Sequence, residues 1–296
     1  MALSAKVIKT KIKAVSNIKK ITKAMEMVSA AKMRKATSRV VESKSYVMYA
    51  YELLLHMVEH KFKHELLLAG DKGDDVLIVA VASGKGLCGG FNVNMRKKVS
   101  ALQREYGSKA KFIAVGKYME RAVLRSEGSL VASFTNIKDT IEERDIWSIN
   151  DMILNEYRKG LYKKVVLVYT RFNSAVSYVV IAKDILPIAP DSLKETIEKD
   201  MGLKIAEKKE GFLNIALFEP GEDEVLDSVL PRITEVFVYQ AFLESLASEH
   251  SSRMMAMRNA SDNAGAIITD LTVGFNRARQ ANITKELAEI SAGSLN

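Results

Sequence analysis

Cysteine is nearly absent: one residue, Cys88, in 296. A single thiol excludes an internal disulfide and fits a reducing compartment. Long apolar runs are also missing, since none reaches the ~18 residues expected of a membrane span. The N-terminus, MALSAKVIKTKIKAV, has neither an apolar h-region nor a small-residue cleavage site, which argues against a secretory leader. It is basic and amphipathic, as a mitochondrial transit peptide would be, but the same helical pattern continues far beyond a removable leader. From Leu3 to His60 there is no glycine and no proline, so nothing marks a break in secondary structure. Acid is scarce there too, because Glu26 is the only carboxylate in the first forty residues.

What stands in its place is positive charge. Eleven lysines and arginines fall in those forty residues, so this block alone exceeds the net +8 of the whole chain. Uncompensated charge along one helix repels itself. It points to an anionic partner: nucleic acid, a membrane surface or an acidic protein surface. The plainer alternative is a solvated helix face. Overall, 48% hydrophobic and 27% charged residues are normal for a chain with a packed core.

Three segments are expected. In 1–65, apolar residues recur at Ala14, Ile18, Ile21, Met25 and Val28, and again at Val40, Val47, Tyr51, Leu54 and Val58. This spacing is heptad-like, with an interruption near Lys32 to Lys35, and predicts one helix of more than fifty residues, roughly 80 Å long. In 221–296 the series Val229, Ile233, Val236, Gln240, Leu243, Ala247, His250, Met254, Met257, Ser261, Ala264, Ile268, Leu271, Phe275, Ala278 and Asn282 steps by four and three without a slip. A strict period of 3.5 imposes a left-handed supercoil and needs a partner helix. Pro231 is expected either in the first turn of this helix or at a kink behind a short leading helix.

Between them, 66–220 carries short apolar runs separated by helical stretches. DVLIVAVA (ending at Ala82), KFIAVG (111–116) and KKVVLVYTRF (163–172) predict parallel strands, with helices at 92–106 and 146–159. SYVVIAKDILP (177–187) is expected to pair with the third strand through a tight turn, and LNIALFEP (213–220) to add a further strand. The fold class is therefore α/β: a long antiparallel left-handed coiled coil of N- and C-terminal helices with an inserted Rossmann-like open-sheet domain. Such a hairpin suggests a part that inserts into, or is gripped by, a partner.

Two motifs invite a chemical reading. SGKGLCGGFN (83–92) places Gly84, Gly86 and Gly89 as G-x-G-x-x-G behind a strand. A dinucleotide site needs an acid ~20 residues on, yet the second strand ends in Gly116-Lys117-Tyr118. The phosphate-loop pattern fails as well, since Gly90-Phe91 stands where Lys-Ser/Thr is required. A tight turn whose glycines allow positive φ is the reading expected. His56-Met57-Val58-Glu59-His60, with His64 one turn on, fits the zinc pattern H-x-x-E-H. Lys61 and Lys63 would repel a metal, and a polar helix end is expected instead. No Ser-His-Asp set is visible, and Cys88 reads as a small packing residue. A cofactor-dependent enzyme and a basic coiled coil gripping nucleic acid are the competing classes. The second lacks a base-reading module.

Three stretches carry a family resemblance: KKITKAMEMVSAAKMRK (19–35), SGKGLCGGFNVN (83–94), and SSRMMAMRNASDNAG with FNRARQANITKELAEI (251–265, 275–290). Together they resemble the gamma subunit of the rotary, proton-driven ATP synthase, over nearly the whole chain. The resemblance implies a non-catalytic central shaft without cofactor or metal. Its implied partners are three alpha and three beta subunits, the epsilon subunit and the membrane ring of c subunits. It implies contacts to the catalytic hexamer at Met25, Lys32, Arg34, Lys35, Arg279, Gln280, Thr284 and Glu286, with Arg253 and Arg258 as weaker candidates. Contacts of the foot with the ring are expected around Leu217, Phe218 and Glu219. The pair of cysteines of chloroplast members is missing, so thiol control is not expected. The absence of a leader favours a bacterial protein, peripheral on the cytoplasmic face of the inner membrane.

Overall fold

A computed structural model describes residues 5–59, 64–67, 73–138, 141–188 and 221–293, with the side chains of 44, 51–59, 222–223 and 291–293 left aside. The chain forms α1 (Ala5–Glu59), β1 (Asp75–Val81), α2 (Phe91–Tyr106), a short 3-10 turn (Gly107–Lys109), β2 (Ala110–Val115), α3 (Lys117–Arg125), β3 (Ser129–Phe134), α4 (Glu143–Arg158), β4 (Tyr162–Ser174), β5 (Ser177–Leu186) and α5 (Glu222–Gly293). It divides into two compact units, one of residues 1–30 with 253–296 and one of residues 31–252. The units follow contacts, whereas sequence boundaries at 65 and 220 follow changes of period.

In the larger unit one five-stranded sheet runs in the order β3-β2-β1-β4-β5. β1, β2, β3 and β4 are parallel, and β5 returns antiparallel on β4 across the turn at Ala175-Val176. The hairpin and the first three predicted strands thus stand where their sequences place them. LNIALFEP lies outside the described residues. The central strands are apolar at successive positions because both faces are covered. Leu77, Val79, Ile113, Val115, Val165 and Leu167 face a core completed by α4 and the first half of α5, including Ile149, Ile153, Ile233 and Phe242. The alternate residues Val76, Ile78, Phe112, Ala114, Val166 and Val168 face α2 and α3 through Met95, Val99, Met119 and Val123. Two elements, α3 and β3, were not expected from sequence. α3 has nine residues. β3 is a six-residue edge strand that buries no side chain fully. Both are too short to show a period.

α5 enters this unit with Pro231 inside the helix, as its tenth residue, and not in its first turn. Proline gives no N–H to the carbonyl four residues back. Two bonds hold the bracketing turn: Thr234 Oγ1 donates to Leu230 O at 3.1 Å, and Asn150 Nδ2 donates to Pro231 O at 3.3 Å. Ser43 Oγ donates to Gln240 Oε1, and His64 lies 3.0 Å from Asp227. Rising positions on the first segment meet falling positions on α5, the antiparallel order expected.

In the smaller unit, α5 buries or half-buries Met254, Met257, Ser261, Ala264, Ile268, Leu271, Phe275 and Ala278. Those are the positions its sequence series names. Asn282 is exposed. α1 departs from expectation. The stripe Ile18, Ile21 and Val28 stands 53%, 60% and 54% exposed. The residues turned inward are Ile8, Val15, Thr22 and Ser29, seven apart, and the same spacing continues in the larger unit through Ala36 and Ser43. In this first half of α1 the predicted seam is one residue out of register, about 100° around the helix, whereas Val40 and Val47 further on are buried as expected. Polar Thr22 and Ser29, not the larger apolar residues beside them, turn inward.

Candidate interaction surfaces

Open parallel sheets bind ligands outside the carboxyl ends of their strands, where the order reverses. Here that point lies between β1 and β4, and it receives the 83–90 loop. α5 occupies it. Ser248 Oγ donates to Thr170 O at 3.2 Å, Ser251 Oγ donates to Ala175 O, and Ser252 Oγ donates to Cys88 O at 2.6 Å. Because that proton is committed to Cys88, Tyr178 Oη donates to Ser252 Oγ across 3.1 Å.

The loop spends its own polar groups internally. Asn92, buried at the start of α2, accepts from Ser83 N–H at 3.2 Å and donates through Nδ2 to Cys88 Sγ at 3.2 Å. Ser83 Oγ accepts from Lys85 N–H and donates to Lys85 O. Leu87 and Gly89 take the left-handed conformation at φ 61° and 55°. Positive φ is what the glycine pattern provides for at Gly89, and Leu87 adopts it without being glycine. The arrangement is a turn that ties β1, α2, the β4–β5 hairpin and α5 together.

The side chains of His56, Glu59 and His60 lie outside those described. His64 accepts Leu66 N–H on Nδ1 at 3.1 Å, which leaves Nε2 to donate to Asp227 Oδ1. It therefore pins the turn after α1 to α5. Among the described residues no group of three His, Cys, Asp or Glu side chains is placed to hold a metal. No described helix is long and apolar enough to cross a membrane.

The residues expected to touch a partner fall in both units. Met25, Arg279, Gln280, Thr284 and Glu286 belong to the smaller one, and Lys32, Arg34 and Lys35 to the larger. Met25 and Lys32 are half-buried, and the other six are exposed. Thr284 Oγ1 donates to Gln280 O at 3.0 Å, which holds its hydroxyl against the helix. Leu217, Phe218 and Glu219 lie outside the described residues. Sequence reasoning missed the outward stripe of Ile18, Ile21 and Val28. It also missed a second stripe near the end of α5, where Ile283, Leu287 and Ile290 step by four and three and are 48%, 63% and 69% exposed. The signal available was the small-residue series Thr22, Ser29 and Ala36 at heptad spacing, all three of them buried.

The chain as a whole is similar to known proteins. The family model described as ATP synthase matches residues 4–295. The ATP synthase gamma chain of Delftia acidovorans is 35% identical over 296 residues, covering 98% of both chains. That of Janthinobacterium sp. is 36% identical and that of Chloroflexus aurantiacus 33%, each with 98% of both chains covered. Among solved structures, the chain is similar to one in the central stalk and c-ring of the Tetrahymena thermophila mitochondrial ATP synthase, with 27% identity and a TM-score of 0.61 over 81% of this chain and 99% of that one. It shares its fold with a chain of the Euglena gracilis mitochondrial ATP synthase, resolved with OSCP, F1 and the c-ring, at 19% identity and a TM-score of 0.66 over 98% and 93% of the two chains.

Proposed function

The chain belongs to the ATP synthase gamma-chain family, and we propose that it is the central rotor shaft of that complex, coupling proton flow through a membrane ring to ATP synthesis without an active site of its own. The observation that carries this reading is a helix face built for partners. From Ala281 to Ile290 every residue of α5 is exposed, yet Ile283, Leu287 and Ile290 form an apolar stripe along it. Apolar side chains in register along an uncovered helix mark a surface that another protein completes.

The partners proposed are three alpha and three beta subunits around the helices, with the epsilon subunit and the c ring at the sheet-bearing unit. Met25, with the stripe Ile18, Ile21 and Val28 beside it, would meet apolar walls of the hexamer. Lys32, Arg34 and Lys35 would meet acidic segments of the beta subunits. Arg279, Gln280, Thr284 and Glu286 would contact the catalytic loops by hydrogen bonds. Rotation changes affinity only if these contacts differ between beta conformations, which is the linkage condition for coupling. The reading requires that the shaft offer different side chains to the beta subunits at different angles. Leu217, Phe218 and Glu219 remain the proposed ring contacts. Through the ring, the chain would be peripheral on the cytoplasmic face of a bacterial inner membrane.

The test is to tag a loop of the larger unit, purify the chain from its host's membranes, and measure ATP hydrolysis and ATP-driven proton pumping of what co-purifies. A complex active in both is expected, and Arg279→Ala or Gln280→Leu should lower protons pumped per ATP several-fold. Recovery of the chain alone from the soluble fraction, with no associated ATPase, would overturn the reading.

A further inference from the structure

A groove of about 710 Å³ opens in the larger unit between α1, the start of α4 and α5. Two of its walls carry the same triplet at the same helical spacing: Arg39, Glu42 and Tyr46 on α1, and Arg232, Glu235 and Tyr239 on α5. The third wall brings Glu143 and Trp147, the only tryptophan of the chain. Arg39 Nη1 donates to Ile141 O and so fixes α1 against the entry to α4.

Charge in this groove is already partly spent. Arg232 pairs with Glu235 at 2.9 Å, and Arg144 pairs with Glu142 at 2.6 Å. Glu42 accepts Ser38 Oγ at 2.8 Å. Neither Glu42 nor Glu143 is ion-paired among the described residues. Both carboxylates act on the Tyr239 hydroxyl. Its pKa is raised first by burial, against an opposing pull from Arg39, and then by Glu143, Glu142 and Glu42. Glu42, Glu142, Glu143 and Glu235 thus line one groove with this phenol in a chain that is otherwise strongly basic. The aromatic surface is in view, with Trp147 53% and Tyr46 58% exposed. The guanidinium of Arg232 stands 6.0 Å from the Trp147 ring centre, so this indole already serves as a cation platform within the chain.

We propose that the groove is a docking site for a partner polypeptide that presents an arginine or lysine, held between Glu42 and Glu143 against Tyr239 and Trp147. Exposed tryptophan, tyrosine and arginine around a concave centre are the composition of an interface hot spot. The charge decides the partner's sign. Four glutamates line the groove against three arginines, and Arg39 is turned onto the Ile141 carbonyl, so a basic side chain complements the lining better than an anionic segment, a nucleic acid or a lipid headgroup would. The inference does not rest on the rotor reading.

The test places the photo-cross-linking residue p-benzoylphenylalanine at Tyr46 and irradiates the chain in its host. Mass spectrometry then identifies the linked peptide. A single partner polypeptide is expected, linked within three residues of an arginine or lysine. Glu42→Gln with Glu143→Gln should lower the cross-link yield about tenfold. Replacing the partner's basic residue by glutamate should abolish the link, and Glu42→Lys with Glu143→Lys should restore it, a rescue that misfolding cannot mimic. No cross-link, a link only to a second copy of this chain, or a yield indifferent to both glutamates would each overturn the proposal.

Discussion

Gly116 carries more of the sheet's architecture than any glycine in the loop that draws the eye. It follows β2 with φ 89°, and a Cβ built there would stand 2.2 Å from Ala82 O. Its N–H donates to Phe134 O at 2.8 Å, and its own carbonyl accepts the N–H groups of Met119 and Glu120 in α3. One residue thus joins the ends of β1, β2 and β3. Gly116→Ala combines left-handed strain with a backbone clash, so we expect a loss of at least ~2 kcal/mol of stability. Chemical denaturation would measure it, and a neutral result would mean that the approach to Ala82 relaxes freely. Gly107 and Gly160 share the positive φ, but open space lies around both. Alanine there should cost only the conformational part, ~1 kcal/mol. The sequence marks residues 83–90 as a turn through their glycine density. Nothing in it singles out Gly116, because a close approach is a property of two strands.

At the scale of elements, α5 is the longest, with 72 residues and two interior glycines in the smaller unit, Gly265 and Gly274. A Cβ at Gly265 would meet the Lys19 ammonium at 3.0 Å, whereas nothing lies within 4 Å of one at Gly274. Glycine inside a helix costs ~0.5–1 kcal/mol relative to alanine. Gly274→Ala should therefore stabilise the isolated chain by about that amount, read as a raised unfolding temperature. A lowered one would show that the position is not plain helix. The strict four-three series of α5 was legible because its apolar positions coincide with its buried ones. On α1 they do not. Ile18, Ile21 and Val28 are more hydrophobic than Thr22 and Ser29, so hydrophobicity selects the wrong face by one residue. α1 has two demanding faces. Thr22 and Ser29 are buried, and the larger Ile18, Ile21 and Val28 are left for another surface.

For the whole molecule, the decisive feature is how much apolar and basic surface remains outside the chain's own cores. Serine at Ile283, Leu287 and Ile290 together should leave the unfolding temperature of the isolated chain nearly unchanged, since exposed side chains lose little on substitution. In the assembled complex the same triple change should weaken assembly or coupling at least tenfold. If the isolated chain instead loses several kcal/mol, the stripe belongs to its own packing and the partner reading of this face fails. By itself the sequence determined the class of the fold, the two long helices, four of the five described strands and the register of α5. Each of these is written as a period or an apolar run along contiguous residues. It also carried the family, through motifs long enough to be specific. Only the tertiary structure decided the inward face of α1, the edge strand β3 with its short helix, and the filling of the β1–β4 crevice by Ser248, Ser251 and Ser252. The groove where α1, α4 and α5 meet belongs with these. In each case the determining contact joins residues distant along the chain, and local periodicity does not report which of two faces a distant element will cover.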